Sequence, residues 1–282
     1  MSAPGAGALA AQLRDWSRPL TPLPAAHPAR PATLSNIRAV VFDVYGTMFI
    51  SASGALGEQP PLTDESEFHA RLATVGIGLL APPSGLAATL AAAIQQEHRR
   101  LHARGCQFPE VDIREIWRQL LPAQPAADIP IIALAWETTV NPVWPMPGLA
   151  ATLQALRDRP LLLGIVSNAQ FFTPLLFEAF LGCSAADLGF HRALCRWSYR
   201  EGHAKPGARL FELLATGLEH LDLTRGEVLV VGNDMRNDIQ PAAACGFQTA
   251  LFGGDGRSLR LRSLAPPAPL LGSLAELPGL LG

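Results

Sequence analysis

Short apolar runs that each end in polar residues are the feature that most constrains the fold of this chain. They cover residues 37–42, 161–166, 227–231 and 249–252, with a weaker run at 193–197. The runs are apolar at nearly every position and rich in β-branched residues, which is typical of parallel strands covered on both faces. Leucines at helical spacing lie between them, at 149–156 and 210–218. This alternation predicts an α/β protein built on a parallel sheet.

The segment at residues 54–142 has a different pattern. It contains no convincing strand and predicts helices near 64–74, 85–104, 111–121 and 130–140, separated by prolines. Because a helical insert after the first strand is a natural lid, we assign residues 54–142 to a cap and residues 36–53 and 143–282 to the core. The proline-rich residues 1–35 are expected to form a poorly ordered leader, with a short docked helix at 8–16 as the alternative.

The composition excludes several classes of protein. Of 282 residues, 49% are hydrophobic, which is enough for a sizeable core. The 22 basic residues nearly balance the 24 acidic ones, so we expect neither a nucleic-acid partner nor a membrane partner. Four cysteines lie far apart without a CxxC pair, and no apolar run reaches the roughly 18 residues of a membrane span. These features predict a cytoplasmic protein.

Polar residues that follow the predicted strands form the candidate site, because ligands of parallel sheets bind beyond the carboxyl ends of the strands. Asp43 follows the first strand and is either a turn cap or a covalent nucleophile. Ser167 and Asn168 follow another strand and can hydrogen-bond an oxyanion or cap a helix. Lys205 precedes a predicted helix, where its charge either serves a substrate or a carboxylate or is solvated.

An acidic loop at residues 232–238 completes the set. Asp234 and Asp238 lie four residues apart after a predicted strand, which indicates either a site for a hard cation or helix capping. Clustering them with Asp43 is unfavourable, since two like charges about 4 Å apart repel by roughly 4 kcal/mol at an effective dielectric near 20. Mg²⁺ and Lys205 would relieve this repulsion.

The order of these motifs resembles that of the haloacid dehalogenase (HAD) superfamily over roughly residues 37–280. The resemblance implies a Rossmann-like parallel core (the HAD fold), an inserted helical cap and an aspartyl-enzyme intermediate. It implies that Asp43 is the nucleophile and that Lys205 clamps its charge. It also implies that Thr47, Ser167 and Asn168 bind the phosphate or carboxylate of a small-molecule substrate.

The same resemblance implies a Mg²⁺ cofactor. Its ligands in this sequence are Asp43, the backbone carbonyl of Tyr45 and Asp234, with Asp238 in direct or water-mediated support. Asn233 stands where some members of the superfamily carry a further acid, and it lowers the negative charge of the loop.

Tyr45 departs from the pattern of the superfamily's phosphatases, which carry a second Asp two residues after the nucleophile. A phenol with an ordinary pKa near 10 can donate a proton but is a poor base at neutral pH. General acid–base catalysis is worth ~10²–10⁴ in rate, so a phosphatase built on Asp43 needs another residue to transfer the proton in place of the second Asp. The candidates in the insert are His69, His98 and Glu97.

The motif at residues 43–47, Asp-x-Tyr-Gly-Thr, is similar to that of the 2-haloacid dehalogenase branch, in which the Asp displaces halide without a metal. Asp234 and Asp238 argue against this branch, as does Phe211 at the place of its tyrosine. The branch also needs an arginine from the insert to receive the halide or the substrate carboxylate. The candidates are Arg71, Arg99, Arg100 and Arg104.

Three functions stay open at the level of sequence. The leading hypothesis is a Mg²⁺-dependent phosphatase that acts on a small phosphorylated metabolite through an aspartyl-phosphate at Asp43. The second is a metal-independent hydrolase of the 2-haloacid dehalogenase type with the same nucleophile. The third is a weakly active HAD domain with a binding or regulatory role.

Overall fold

A six-stranded parallel sheet forms the centre of the computed structural model, which describes residues 5–24, 27–30, 32–53, 64–265, 267 and 269–281. The strands are β1 (Ala39–Phe42), β2 (Phe49–Ser51), β3 (Val143–Pro145), β4 (Leu162–Ser167), β5 (Phe190–Trp197), β6 (Val228–Gly232), β7 (Gln248–Phe252) and β8 (Leu270–Leu271). The order across the large sheet is β5-β4-β1-β6-β7-β8, and every neighbouring pair is parallel. The predicted α/β class with a parallel sheet is confirmed.

Helices cover the sheet and fill the insert. They are α1 (Ala6–Trp16), α2 (Ser66–Thr74), α3 (Leu86–Ala103), α4 (Ile113–Leu120), α5 (Ile129–Val140), α6 (Leu149–Arg157), α7 (Leu175–Leu181), α8 (Ser198–Glu201), α9 (Arg209–Glu219), α10 (Gln240–Ala244) and α11 (Leu277–Leu280). The four helices predicted in the insert correspond to α2–α5 within two residues at each end. In the part of the chain that is described, none of the helices combines the length and the hydropathy needed to traverse a bilayer.

Strand β1 shows why an unbroken apolar run predicts a central strand. Val40 and Phe42 belong to the larger apolar cluster, whereas Ala39 and Val41 belong to a second cluster that includes Leu210 of α9. Successive side chains of a strand point to opposite faces, so both faces of β1 are buried and neither tolerates a polar residue. Because β1 lies between β4 and β6, the residue that follows it stands at the middle of the sheet edge.

A two-stranded antiparallel ribbon, which the sequence did not indicate, joins the core to the insert. Strand β2 leaves the core and β3 returns to it, with Ile50 paired to Trp144. The Ser51 hydroxyl donates to Asn141 Oδ1 at 2.8 Å, which ties the two linkers together beside the ribbon. Each strand has three residues, too few for a periodic pattern to be recognised.

Helix α1 corrects the expectation of a poorly ordered leader over residues 6–16. Its Leu9, Leu13 and Trp16 are buried, and the helix packs on both α7 of the core and α5 of the insert. The Trp16 indole donates to Thr74 Oγ1 at 3.2 Å, and Arg71 donates to the Trp16 carbonyl at 2.9 Å. The alternative of a short docked helix therefore describes this segment. Residues 1–4, 25–26, 31 and 54–63 of the predicted leader and cap lie outside the described residues.

We expect Leu13→Ala to lower the free energy of unfolding by about 2–5 kcal/mol, the range for truncating a buried leucine. Leu13 is 1% exposed, and its loss leaves a cavity where α1 meets the body. Urea unfolding monitored by tryptophan fluorescence measures the change. Asp15→Ala, on the exposed face of the same helix, is the control and should stay within about 0.5 kcal/mol. Equal effects of the two substitutions would mean that α1 does not dock in solution.

Candidate active site

The carboxyl ends of β1, β4 and β6 bring the predicted site residues together. Asp43 directly follows β1, and its backbone N–H donates to the Val231 carbonyl of β6 at 2.9 Å. Ser167 is the last residue of β4, and Asp238 lies in a single π-helical turn (Met235–Ile239) after β6. This placement follows from the sheet order, because β1 is flanked by β4 and β6.

The ammonium group of Lys205 is the centre of the site. Its Nζ lies 2.7 Å from Asp43 Oδ1, 2.5 Å from Asp238 Oδ1 and 3.0 Å from the Val166 carbonyl oxygen. All three charged side chains are buried. Burial opposes the charge on Lys205, but the two carboxylates outweigh it and raise the pKa of Lys205. Lys205 is therefore a permanent cation between two carboxylates, as its predicted role of charge clamp requires.

Asp43 is oriented through one of its two carboxylate oxygens. The Ser167 hydroxyl donates to Oδ1 at 3.1 Å, and Lys205 binds the same atom. Oδ2 accepts no hydrogen bond from the described residues, so it retains its lone pairs for attack on a substrate. Burial and fixed hydrogen bonds hold this carboxylate in a single orientation.

Asn168 holds the Lys205 backbone in place. Its side-chain amide donates to the Lys205 carbonyl at 3.1 Å, and its Oδ1 accepts from the Lys205 N–H at 2.7 Å. Both polar groups of the amide thus serve the protein. The geometry gives Asn168 a positioning role, in addition to its place on the wall of a cavity described below.

Tyr45 and Thr47 are buried in the turn after Asp43. The Tyr45 hydroxyl lies 3.0 Å from Thr173 Oγ1, and the Thr47 hydroxyl donates to Asn233 Oδ1 at 3.1 Å. Thr47 is 0% exposed, so its hydroxyl joins two loops, and the predicted substrate contact is not what the geometry supports. Gly46 between them has φ +83°, and a Cβ there would lie 2.6 Å from Asn233 Nδ2. Only glycine permits this close approach.

The phenol of Tyr45 is not a base at neutral pH. Burial raises the pKa of Tyr45 well above its ordinary value, and the nearby Glu137 and Asp43 carboxylates raise it further, while the Thr173 hydrogen bond lowers it. The proton therefore stays on the phenol across the physiological range.

The contacts of Asp234 differ from those expected of a metal ligand. Its Oδ1 accepts from the N–H groups of Arg236 and Asn237, at 2.8 and 3.3 Å. Its Oδ2 accepts from the Asn237 side chain at 3.1 Å and from Arg262 at 2.7 Å. Asp234 therefore caps the π-helical turn, which is the alternative to metal binding that the sequence left open. Arg262, which neutralises this carboxylate, lies 28 residues further along the chain, too far for any local motif to reveal the pair.

The side chains do not fit the predicted Mg²⁺ site. Five donor groups engage the carboxylate of Asp234, and Lys205 bridges Asp43 and Asp238. Within the described ranges, no group of three or more His, Cys, Asp and Glu side chains is arranged to hold a metal. A divalent ion bound by Asp234 would have to displace Arg262 from this carboxylate.

The insert places few of its predicted candidates near the site. His69 and Glu97 lie in pairs with Glu65 and Arg100 at the surface. Arg71 is buried but bound to the Trp16 carbonyl and Glu67, whereas Arg99, Arg100 and Arg104 are exposed. Phe211 is a core residue packed near Phe247. His98 alone among these candidates lines the cavity between the insert and the core.

That cavity, of about 380 Å³, lies between α3, α5 and the loop after β4. Its walls are mostly apolar, and its polar residues include His98, Glu110, Glu137 and Asn168. Burial raises the pKa of both Glu110 and Glu137 to about 7. Sequence reasoning missed both carboxyl groups, because Glu137 stands in a strongly apolar helix and Glu110 in a loop, outside any motif.

The sheet order, the helical insert and the carboxylate at the middle of the sheet edge define a capped α/β protein with a nucleophile-like aspartate. A family model for haloacid dehalogenase-like hydrolases matches residues 37–246. The chain belongs to this hydrolase family, which confirms the resemblance drawn from the motifs.

Solved structures share this fold. One is a 2-haloacid dehalogenase from Pseudomonas syringae pv. Tomato DC3000, with 19% identity, a TM-score of 0.55, and coverage of 86% of this chain and 97% of that chain. Another is a defluorinating L-2-haloacid dehalogenase, with 17% identity, a TM-score of 0.53, and coverage of 92% and 98%. At such identities the likeness concerns the fold. No curated protein sequence matches the chain.

Proposed function

We propose that this hydrolase cleaves a carbon–halogen bond in a small organic acid by direct displacement at Asp43, without a metal. The observation that carries the proposal is the contact of one ammonium group, Lys205 Nζ, with both Asp43 and Asp238. This arrangement sets a permanent cation against Asp43 and orients its carboxylate with protein groups alone. Displacement of halide needs an ionised carboxylate as the nucleophile. It transfers no phosphoryl group, so no metal is needed to neutralise phosphoryl oxygens.

The first step forms an ester on Asp43. Its Oδ2 attacks the carbon that carries the halogen, from the side opposite to the leaving atom. The carbon–halogen bond breaks and its electron pair leaves with the halide. Ser167 and Lys205 hold Oδ1 throughout, so the attacking oxygen is presented in one orientation.

The second step hydrolyses the ester. Water adds to the Asp43 carboxyl carbon, and the bond between that carbon and the ester oxygen breaks. The product alcohol keeps the oxygen that came from Asp43, while the restored carboxylate holds an oxygen from water. The overall change is R–X + H₂O → R–OH + HX, and the balance needs no oxidant or reductant.

The phosphatase hypothesis receives less support from this site. The position of the second acid holds Tyr45, whose phenol keeps its proton, and Asp234 is occupied by Arg262 and backbone amides. The named dehalogenases that share the fold supply the first substrate class to test, namely 2-haloacids. The same assay tests the third hypothesis, because a weakly active domain would turn over slowly.

Halide release from 2-chloropropionate is expected to be equal with EDTA and with added Mg²⁺, because Lys205 supplies the positive charge at Asp43. Ion chromatography of chloride over many turnovers measures it. A single turnover in ¹⁸O-labelled water should place the label in Asp43 and not in the product. Release of phosphate from a metabolite panel only when Mg²⁺ is present, without chloride release, would contradict the proposal and restore the phosphatase hypothesis.

A further inference from the structure

The second step needs a group that takes a proton from water, and the described residues of the core around Asp43 offer none. Both oxygens of Asp238 are engaged, Oδ1 by Lys205 and Oδ2 by the Asp234 N–H at 3.0 Å. The Tyr45 phenol keeps its proton, as argued above. Ser167 already donates to Asp43. The base must therefore come from another part of the molecule.

The cavity between the insert and the core contains two carboxyl groups, and they differ in one respect. Glu110 is fully engaged: its Oε1 accepts from the Val111 N–H at 2.9 Å, and its Oε2 accepts from the Ser198 hydroxyl at 2.8 Å. Glu137 Oε1 accepts from the Asn141 side chain at 3.1 Å, whereas its Oε2 accepts no hydrogen bond from the described residues. Glu137 thus has one carboxyl oxygen available to a water molecule in the cavity.

Glu137 shares its cavity with a residue that belongs to the Lys205 site. This residue is Asn168, which directly follows Ser167 and whose side chain brackets the Lys205 backbone. The Glu137 and Asp43 charges both raise the pKa of the Tyr45 phenol, which stands two residues after Asp43. Helix α5, which carries Glu137, packs on α1, α2 and α4.

We propose that Glu137 is the proton-transfer residue of ester hydrolysis, acting from the cap on a water molecule in this cavity. The inference rests on the proposed function. Glu137 accepts a proton as the water oxygen bonds to the Asp43 carboxyl carbon. It returns that proton to the departing alkoxide when the ester bond breaks, so Glu137 is again a carboxylate. Asp43 is formed as the carboxylic acid and releases the second proton of the water to solvent, which supplies the proton of HX. The group that replaces the missing acid at position 45 is therefore a cap glutamate.

The acidity of Glu137 suits this exchange. Burial raises its pKa to about 7, and the Asn141 hydrogen bond opposes the rise. The base form is needed, so turnover should fall as the pH drops below about 7. Titratable groups from neighbouring elements are Tyr45, His98 and Glu110. Burial lowers the pKa of His98, and its buried Nε2 has no hydrogen-bond partner among the described residues.

The test is to separate the two steps in Glu137→Gln. With 2-chloropropionate, the variant should release one chloride per protein at the wild-type rate and then turn over at least ~10²-fold more slowly. Intact-mass measurement should find the ester accumulated on the protein, and peptide mapping should place it on Asp43. The acid limb of the pH profile should disappear from the residual rate. The burst itself shows that the variant is folded.

Glu110→Gln is the matched control, because it removes the other buried carboxyl of the cavity, whose oxygens are already engaged. It should keep the wild-type ratio of burst to steady state and accumulate no ester. A Glu137→Gln variant that turns over at the wild-type rate without ester would overturn the role of Glu137 and leave the dehalogenase intact. Wild-type protein without chloride release and without adduct would overturn both proposals.

Discussion

Asp43→Asn is expected to lower chloride release from 2-chloropropionate by roughly 10⁴–10⁶-fold, the scale seen when a covalent nucleophile is removed. The neutral amide is a poor nucleophile, so the first step fails and no burst appears. The fold should survive, because Asn keeps an oxygen that accepts from both Lys205 and Ser167. This outcome differs from that of Glu137→Gln, in which the burst persists and only the second step is slow.

The matched control for this prediction is Asp234→Asn. Asn also caps helices, and the structure gives Asp234 no side-chain contact with Asp43 or Lys205, so activity should stay within about tenfold of the wild type. Rapid-quench measurement of the burst and steady-state chloride release compare the two variants. A loss for Asp234→Asn as large as that for Asp43→Asn would indicate that Asp234 does bind a metal during the reaction.

The parts of this fold that the sequence predicted are those in which burial is complete and local. Strand β1 and its neighbours in the centre of the sheet must be apolar on both faces, so their runs are visible without any partner. The helices of the insert begin at signals that are also local, such as Asp112, which accepts from the Arg114 N–H at the start of α4. The order of Asp43, Ser167 and Lys205 then indicated the family, because strand ends in one parallel sheet meet at one edge.

The parts that the sequence could not predict depend on distant partners. Arg262 decides that Asp234 is a cap and not a metal ligand, and no periodicity links these two positions. Helix α1 is stable only because the insert and the core together offer a surface for Leu13 and Trp16. Glu137 is an isolated acid in an apolar helix, and only the tertiary structure shows that it lines a cavity with the loop after β4. Each is a tertiary property of the chain.

Lys205→Met should destabilise the fold by about 3–5 kcal/mol, since it leaves two buried carboxylates without their cation. The sign of the pH dependence follows from the same contacts. Burial raises the pKa of Asp238 above its ordinary value and the Lys205 charge opposes the rise, so without Lys205 the folded-state pKa of Asp238 rises further above its unfolded value. Protonated Asp238 then stabilises the folded state at low pH, and this stability is lost as the pH rises through the folded-state pKa. Urea unfolding at about pH 5 and about pH 7 should therefore show a smaller deficit at the acidic pH.

Adding Asp238→Asn to Lys205→Met should recover part of the lost stability at neutral pH, because the double variant leaves one buried carboxylate in place of two. The single variant Asp238→Asn completes the double-mutant cycle. The recovery distinguishes electrostatic strain from the simple loss of packing around the lysine stem, which the second substitution cannot repair. If Lys205→Met instead loses less than about 1 kcal/mol and the cycle shows no coupling, the two carboxylates do not depend on this ammonium group. That result would contradict the proposal that the site works without a divalent cation.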